Sequence, residues 1–147
     1  MHTIVKSFSQ LTTDELYAIL RLRAQVFVVE QDCVYQDVDN KDQKALHVIG
    51  RIDDEVVAYT RIFGPGDYFD QASIGRVVTD DAHRGKALGK QIMQESIAAI
   101  QLYYNETTIK ISAQCYLGKF YNDLGFTAVG EEYLEDGIPH VGMVRGV

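Results

Sequence analysis

Apolar and polar positions along this chain switch between two periods, and the switches mark out its elements. Thr3 to Phe8 is β-rich and leads into Thr12-Thr13-Asp14-Glu15, where Thr12 and Glu15 have capping-box spacing. A helix is predicted from there to about Val29, with Leu16, Leu20, Ala24 and Phe27 as its apolar stripe. Gln31 to Lys44 is polar, carries Asp32, Asp37, Asp39 and Asp42, and reads as a long irregular connection of the kind that often carries function. Ala45 to Ile52 and Val56 to Phe63 flank Asp53-Asp54-Glu55 and predict an antiparallel hairpin. Gly64-Pro65-Gly66-Asp67 breaks the chain, Ile74 to Thr79 forms a third β-rich run, and a long helix opens at Arg84-Gly85-Lys86-Ala87-Leu88-Gly89.

Along that second helix Leu88, Ile92, Ala99, Ile100 and Tyr103 share an arc widened by Met93 and Ile97, while Lys90, Gln94 and Gln101 point away. Thr107 to Ala113 alternates as a half-buried strand with Ile109, Ile111 and Ala113 on one side. A short helix from about Tyr116 to Leu124 stops at Gly125, a position suited to a left-handed cap. Phe126 to Leu134 and Ile138 to Arg145 bracket Glu135-Asp136-Gly137, whose Asp-Gly pair signals a hairpin. The order β-α-β-β-β-α-β-α-β-β implies a mixed sheet of about seven strands flanked by helices, an α/β (α+β) architecture.

Length and charge narrow the function. With 147 residues and no linker, repeat or low-complexity tract, residues 1–147 are expected to form one domain. Fourteen Lys and Arg against 21 Asp and Glu give a formal charge of −7, which disfavours a grip on nucleic acid. No apolar run reaches membrane-spanning length and the first residues lack the pattern of a secretory leader, so the cytoplasm is the expected location. Cys33 and Cys115 stand outside any clip or redox spacing, and His2, His47, His83 and His140 show no ligand spacing, so no metal is expected.

The informative stretch joins the strand ending at Thr79 to the helix after Gly85. A helix N-terminus carries about four unpaired N–H groups and roughly half a positive charge, which suits phosphate oxygens. Gly85 and Gly89 allow close approach, and His83, Arg84, Lys86 and Lys90 place positive side chains around the turn of an otherwise acidic chain. A capped helix with a solvated basic first turn would have the same residues. A Walker-type loop fails, because only three residues separate Gly85 from Gly89 and Gln91 follows Lys90 where a hydroxyl is required. A dinucleotide fingerprint fails on spacing and on its antiparallel context.

Strand, acidic turn, Arg84-Gly85-Lys86-Ala87-Leu88-Gly89 and long helix resemble the GNAT acetyltransferase superfamily, whose loop reads Arg/Gln-x-x-Gly-x-Gly/Ala. Tyr121-Asn122-Asp123-Leu124-Gly125-Phe126 is similar to its second signature. Arg23 to Gln31, Ile74 to Val77 and Glu135 to His140 are similar to the ElaA-like branch, so the resemblance spans nearly the whole chain. Its one departure is Ala87, where the middle glycine would stand.

The resemblance implies a splayed sheet that admits the pantetheine arm of acetyl-CoA as cosubstrate, with no metal. Val77, Val78 and Thr79 would border the arm, and the turn from Arg84 through Gly85, Lys86, Ala87, Leu88 and Gly89 to Lys90 would hold the pyrophosphate. The expected reaction is N-acetylation of a small-molecule or peptide amine by direct attack in a ternary complex. A noncatalytic acyl-CoA-binding module is the alternative, and a homodimer is left open.

Freeing a Lys-like amine of its proton at pH 7 costs about 4–5 kcal/mol, so a base or water relay helps. Tyr121 is expected to protonate the leaving thiolate, and Glu30 and His140 are candidate bases, ahead of His47. Arg76, on a strand among apolar residues, is expected to pair with an internal acid in preference to a substrate carboxylate, and His83 is expected in an exposed loop. The Asp32–Asp42 loop reads as solvated charge favouring a cationic acceptor, and Cys115 offers a less favoured covalent route.

Overall fold

The computed structural model describes residues 1–146. β1 (His2–Ser7), α1 (Thr13–Arg23), β2 (Leu46–Ile52), β3 (Glu55–Phe63), β4 (Ala72–Thr79), α2 (Leu88–Tyr104), β5 (Ile109–Gln114), α3 (Gly118–Asn122), β6 (Thr127–Glu135) and β7 (Ile138–Arg145) follow one another in the expected order. The strands form one sheet, β1-β2-β3-β4-β5-β7-β6, antiparallel throughout except between β4 and β5.

The two faces of the sheet carry separate apolar clusters because neighbouring strand residues point to opposite sides. Val48, Ala58 and Ile62 pack with Ile92, Met93 and Ile100 of α2. Ile49, Tyr59 and Val78 pack with Ile19 and Leu22 of α1 and with Val26 just beyond it. Ile109, Ile111 and Ala113 of β5 are buried on one side, as their alternation predicts. No helix among the described residues is long and apolar enough to cross a membrane.

Local signals explain the boundaries. Thr12 and Glu15 form the predicted capping box: the Thr12 hydroxyl accepts from the Glu15 amide at 3.1 Å, and the Thr12 amide donates to the Glu15 carboxylate at 2.8 Å. Gly125 takes φ +93° after α3, and the Phe126 amide closes back on the Tyr121 carbonyl at 3.0 Å. Asp136 and Gly137 both have positive φ, 51° and 77°, which matches the twist of a two-residue hairpin turn.

The helix faces differ from expectation at two points. The α1 segment buries Glu15, Ile19, Leu22, Arg23 and Val26, one position round from the predicted Leu16, Leu20, Ala24 and Phe27. Periodicity counts Glu15 and Arg23 as outward, but each is neutralised inside: Glu15 by Lys6 and Arg51, Arg23 by Asp37 and Asp42. On α2, Tyr103 is exposed and Ser96 takes a core position, its hydroxyl 2.6 Å from Thr60 and 2.7 Å from the Ile92 carbonyl. Beyond Arg23 the chain widens into a π-helical turn, Ala24–Glu30, which delivers Glu30 to the open edge of the sheet.

Candidate active site

The centre of the sheet is split. β4 and β5 pair only through Ala72 with Ile109 and Ser73 with Lys110. Above those pairs a cavity of about 480 Å³ opens between Val77, Val78 and Thr79 on one side and Ile111, Ser112 and Gln114 on the other. A one-residue register shift between β3 and β4 lies at the same level, and Arg76 there adopts φ +50°. Such a bulge bends its strand, and here it turns β4 away from its parallel neighbour.

At one end of the cavity lies the turn that opens α2. Arg84, Gly85, Lys86 and Ala87 are all exposed. The direction a Cβ would take at Gly85 (φ +90°) meets nothing within 4 Å, so no side chain blocks approach to the main chain. Arg84 and Gly89 line the cavity; Gly85, Lys86, Ala87, Leu88 and Lys90 form the turn beside it. The Leu88 side chain points into the core and anchors the first turn of the helix. Ala87 sits at the N-cap with φ 57° and ψ 29°, a left-handed conformation that glycine would adopt more easily. This open cradle of helix-terminal amides fits a diphosphate. The Arg84 guanidinium contacts Asp81 at 2.7 Å and Glu30 at 2.8 Å.

Tyr121, on α3, lines the cavity. Phe120 and Phe126 meet its ring edge to face, at 5.0 and 6.0 Å between centroids. Burial, with a smaller contribution from nearby Tyr116, pushes its phenol up to about 12, so it is protonated at neutral pH. Cys115 is absent from the lining, and burial together with Glu132 raises its thiol, which opposes a covalent route. Cys33, which the sequence did not single out, does line the cavity, and its thiol donates to the Asp136 carbonyl at 3.4 Å. That contact joins the Gln31–Lys44 segment to the β6–β7 turn.

The three candidate bases have different surroundings. Glu30 lines the cavity, held by Arg84. His140 also lines it, but Nδ1 donates to the Ile138 carbonyl at 2.7 Å and Nε2 faces the Glu135 carboxylate at 3.2 Å. Both nitrogens of His140 are thus engaged within the hairpin, and Glu135 lines the cavity beside it. Ser112, Tyr133 and Glu135 continue this chain of contacts, the Ser112 hydroxyl lying against the Tyr133 hydroxyl and 3.4 Å from Glu135. His47 lies outside the cavity, where its Nε2 donates to the Asp42 carbonyl at 2.9 Å and its Nδ1 accepts from Tyr59 at 2.6 Å. Burial lowers the His47 pKa, which fixes it as a neutral structural group.

The far wall corrects the expectation of a solvated acidic loop. Asp37, Asp39 and Asp42 turn inward and meet three arginines. Arg23 donates to Asp37 at 2.9 Å and to Asp42 at 2.8 Å. Arg61 grips Asp39 through both terminal nitrogens, at 2.7 and 2.6 Å, and reaches Asp42 at 3.0 Å. Arg76 pairs with Asp37 at 2.8 Å and Asp39 at 3.3 Å, the internal role expected of it. Burial alone would raise Asp39 and Asp42, but Arg61 and Arg23 outweigh it and hold both well below the ordinary carboxylate range. Three positive and three negative groups cancel, so this loop presents little net charge to an acceptor. Arg61 interrupts the apolar run Val56 to Phe63, a sequence signal that could have marked it.

Comparison with known proteins agrees with this geometry. Residues 10–146 match the family described as an acetyltransferase (GNAT) domain. Protein ElaA of Escherichia coli K12 is 43% identical over 141 residues, covering 95% of this chain and 92% of that protein. The crystal structure of an acyl-CoA N-acyltransferase from Pseudomonas aeruginosa superposes with a TM-score of 0.92 at 42% identity, covering 99% of this chain and 100% of that one. The crystal structure of Escherichia coli ElaA gives 0.91 at 39% identity, covering 99% of each chain.

Proposed function

Because this chain belongs to the GNAT acetyltransferase family and to its ElaA-like branch, we propose that it moves the acetyl group of acetyl-CoA to a primary amine by direct attack in a ternary complex, with residues 1–147 acting as one catalytic domain. The observation that carries this reading is the parted β4 and β5 strands, which open a cavity lined both by Arg84 and Gly89 of the α2 turn and by Tyr121. Acetyl-CoA supplies the activated thioester. The amides from Arg84 to Lys90 hold its diphosphate, and Val77, Val78 and Thr79 border its arm.

The amine nitrogen forms the new C–N bond as the C–S bond breaks, and Tyr121 gives its proton to the departing sulfur. A phenol whose pKa is about 12 is a weak acid and a correspondingly strong base once ionised. Its proton transfer is therefore coupled to bond cleavage, and the tyrosinate recovers a proton released from the amine. Glu30 or a water it orients takes the amine proton first, while the Glu135–His140 pair stabilises positive charge at the acceptor end.

Thiol release measured with acetyl-CoA and a panel of amines tests the activity. The expected result is amine-dependent release that Tyr121→Phe slows at least tenfold with acetyl-CoA affinity unchanged. Coenzyme binding without turnover on any amine would favour the noncatalytic module.

A further inference from the structure

The acidic segment beside the cavity is also a strand without a neighbour. From Cys33 to Asp39 the chain runs without turn or bend, and residues of left-handed φ bound it at both ends, Asp32 at 50° and Asn40 at 64°. Burial alternates along it with the two-residue period of a strand. Cys33, Tyr35, Asp37 and Asp39 turn inward, the first two onto the cavity and the last two onto the arginines. Val34, Gln36 and Val38 face out, with Val34 99% and Val38 51% exposed. The backbone amides from Val34 to Val38 have no acceptor among the described residues.

In an extended chain the N–H and C=O of one residue point to one edge and those of the next residue to the other. The Asp37 carbonyl accepts from Arg23 at 3.0 Å and from Arg76 at 2.9 Å, so its edge faces the body of the protein. The opposite edge belongs to Val34, Gln36 and Val38. Among the described residues its backbone makes one contact, with its own chain: the Gln36 side chain donates to the Val38 carbonyl at 3.0 Å. Exposed edges are commonly blunted by a Lys or a Pro that prevents further pairing, and these three positions hold neither.

We propose that this edge pairs antiparallel with the same edge of a second copy of the chain, about a two-fold axis at Gln36. The segment is self-complementary in that register. Gln36 meets Gln36, Val34 meets the second copy's Val38, and Asp32 meets Asn40. On the inward side Asp37 meets Tyr35 and Asp39 meets Cys33, so no two acids stand opposite each other in a chain of charge −7. The pairs at Val34, Gln36 and Val38 exchange both backbone bonds, and the Val38 carbonyl has a second lone pair for the new amide. Val29 and Leu134, both exposed, stand next to the residues that hold Cys33: its amide reaches the Val28 carbonyl at 3.1 Å and its thiol the Asp136 carbonyl at 3.4 Å. They add apolar surface at one end of the strand. So short a strand makes a weak dimer that depends on concentration. The proposal stands apart from the acetyltransferase reading, since it needs neither coenzyme nor amine.

Sedimentation velocity of the native chain from about 1 μM to about 500 μM, the range of weak interfaces, should show monomer giving way to dimer. Gln36→Pro removes the central amide, which bonds to nothing within one chain, and should hold the protein monomeric throughout with the melting temperature changed by no more than a few degrees. Val34→Lys should weaken dimerisation at least tenfold. Adding Val38→Asp to it sets Lys opposite Asp at both outer pairs and should restore the dimer.

A native chain that stays monomeric throughout overturns the proposal and leaves the edge to solvent or to a strand of another protein. A dimer that survives Gln36→Pro is held by a different face and overturns it too. If Gln36→Pro unfolds the chain, the Lys and Asp variants decide: a dimer indifferent to Val34→Lys, or a double variant that stays monomeric, overturns the register.

Discussion

The two ends of the cavity are built on opposite principles. At the proposed coenzyme end, an exposed turn presents peptide amides, and its long charged side chains reach solvent, Lys86 and Lys90 being exposed and Arg84 43% exposed. At the acceptor end, six charged side chains are packed inside, with Arg23 at 0% and Arg61 at 1% exposure. A diphosphate can be bound by main-chain groups that any sequence supplies, provided the side chains stay clear. An acceptor pocket has to be shaped by side chains, and here those side chains are fixed by charge pairs spanning 14 to 39 residues of sequence. One end is made by leaving things out and the other by locking things in.

Substitutions at the two ends should therefore divide sharply between stability and coenzyme affinity. Arg23→Met strands Asp37 and Asp42 in the interior and should cost about 3–5 kcal/mol in urea unfolding, the largest effect expected. Tyr121→Phe should lower kcat at least tenfold, about 1.4 kcal/mol of barrier, without moving the melting temperature by more than a few degrees. Arg84→Gln breaks only partly exposed pairs and should leave stability within about 0.5 kcal/mol, while weakening acetyl-CoA binding several-fold by calorimetry. An Arg84 variant that unfolds, or an Arg23 variant as stable as the native chain, would erase the distinction.

Acid sharpens the same contrast. Asp39 and Asp42 have folded pKa values below their unfolded ones, so their stabilisation is full above the unfolded value of about 3.9 and is lost as pH falls further. Melting temperature should therefore drop steeply below about pH 4, with the Gln31–Lys44 wall protonating and loosening. Hydrogen exchange of that segment should rise as the pH falls, ahead of exchange in α2. The smallest effect belongs to the coenzyme end. Ala87→Gly relieves the left-handed backbone but gives up chain entropy, and the balance should be a gain of at most about 1 kcal/mol, or 2–4 °C. A lower melting temperature would show that the turn is not strained.

The same contrast explains what could be read from the sequence. Arg84 to Gly89 is legible because its chemistry is local: two glycines, a basic residue and a helix start within a few positions. The order of elements along the chain, the Thr12 capping box, the Gly125 stop and the Asp136-Gly137 turn are local in the same way. The acceptor wall is not, since nothing near Asp39 in sequence announces that Arg61 and Arg76 will neutralise it. Glu15 and Arg23 misled the periodicity of α1 for that reason: a buried charge looks like a surface charge until its distant partner is known. His140 lines the cavity, but the carbonyl and carboxylate that occupy its nitrogens come from hairpin geometry that residue type alone does not reveal.

The contact between Arg84 and Glu30 would give the proposed reaction a timetable. On that reading an incoming diphosphate competes with the glutamate for the same guanidinium, and once it wins, Glu30 is released with an unshared negative charge facing the cavity. An amine that arrives early finds this carboxylate already engaged, whereas one that arrives second finds it free to draw in a cation and accept its proton. Initial-rate kinetics should accordingly show a compulsory order with the nucleotide-bearing substrate first, and replacing Arg84 with Gln should turn that order random.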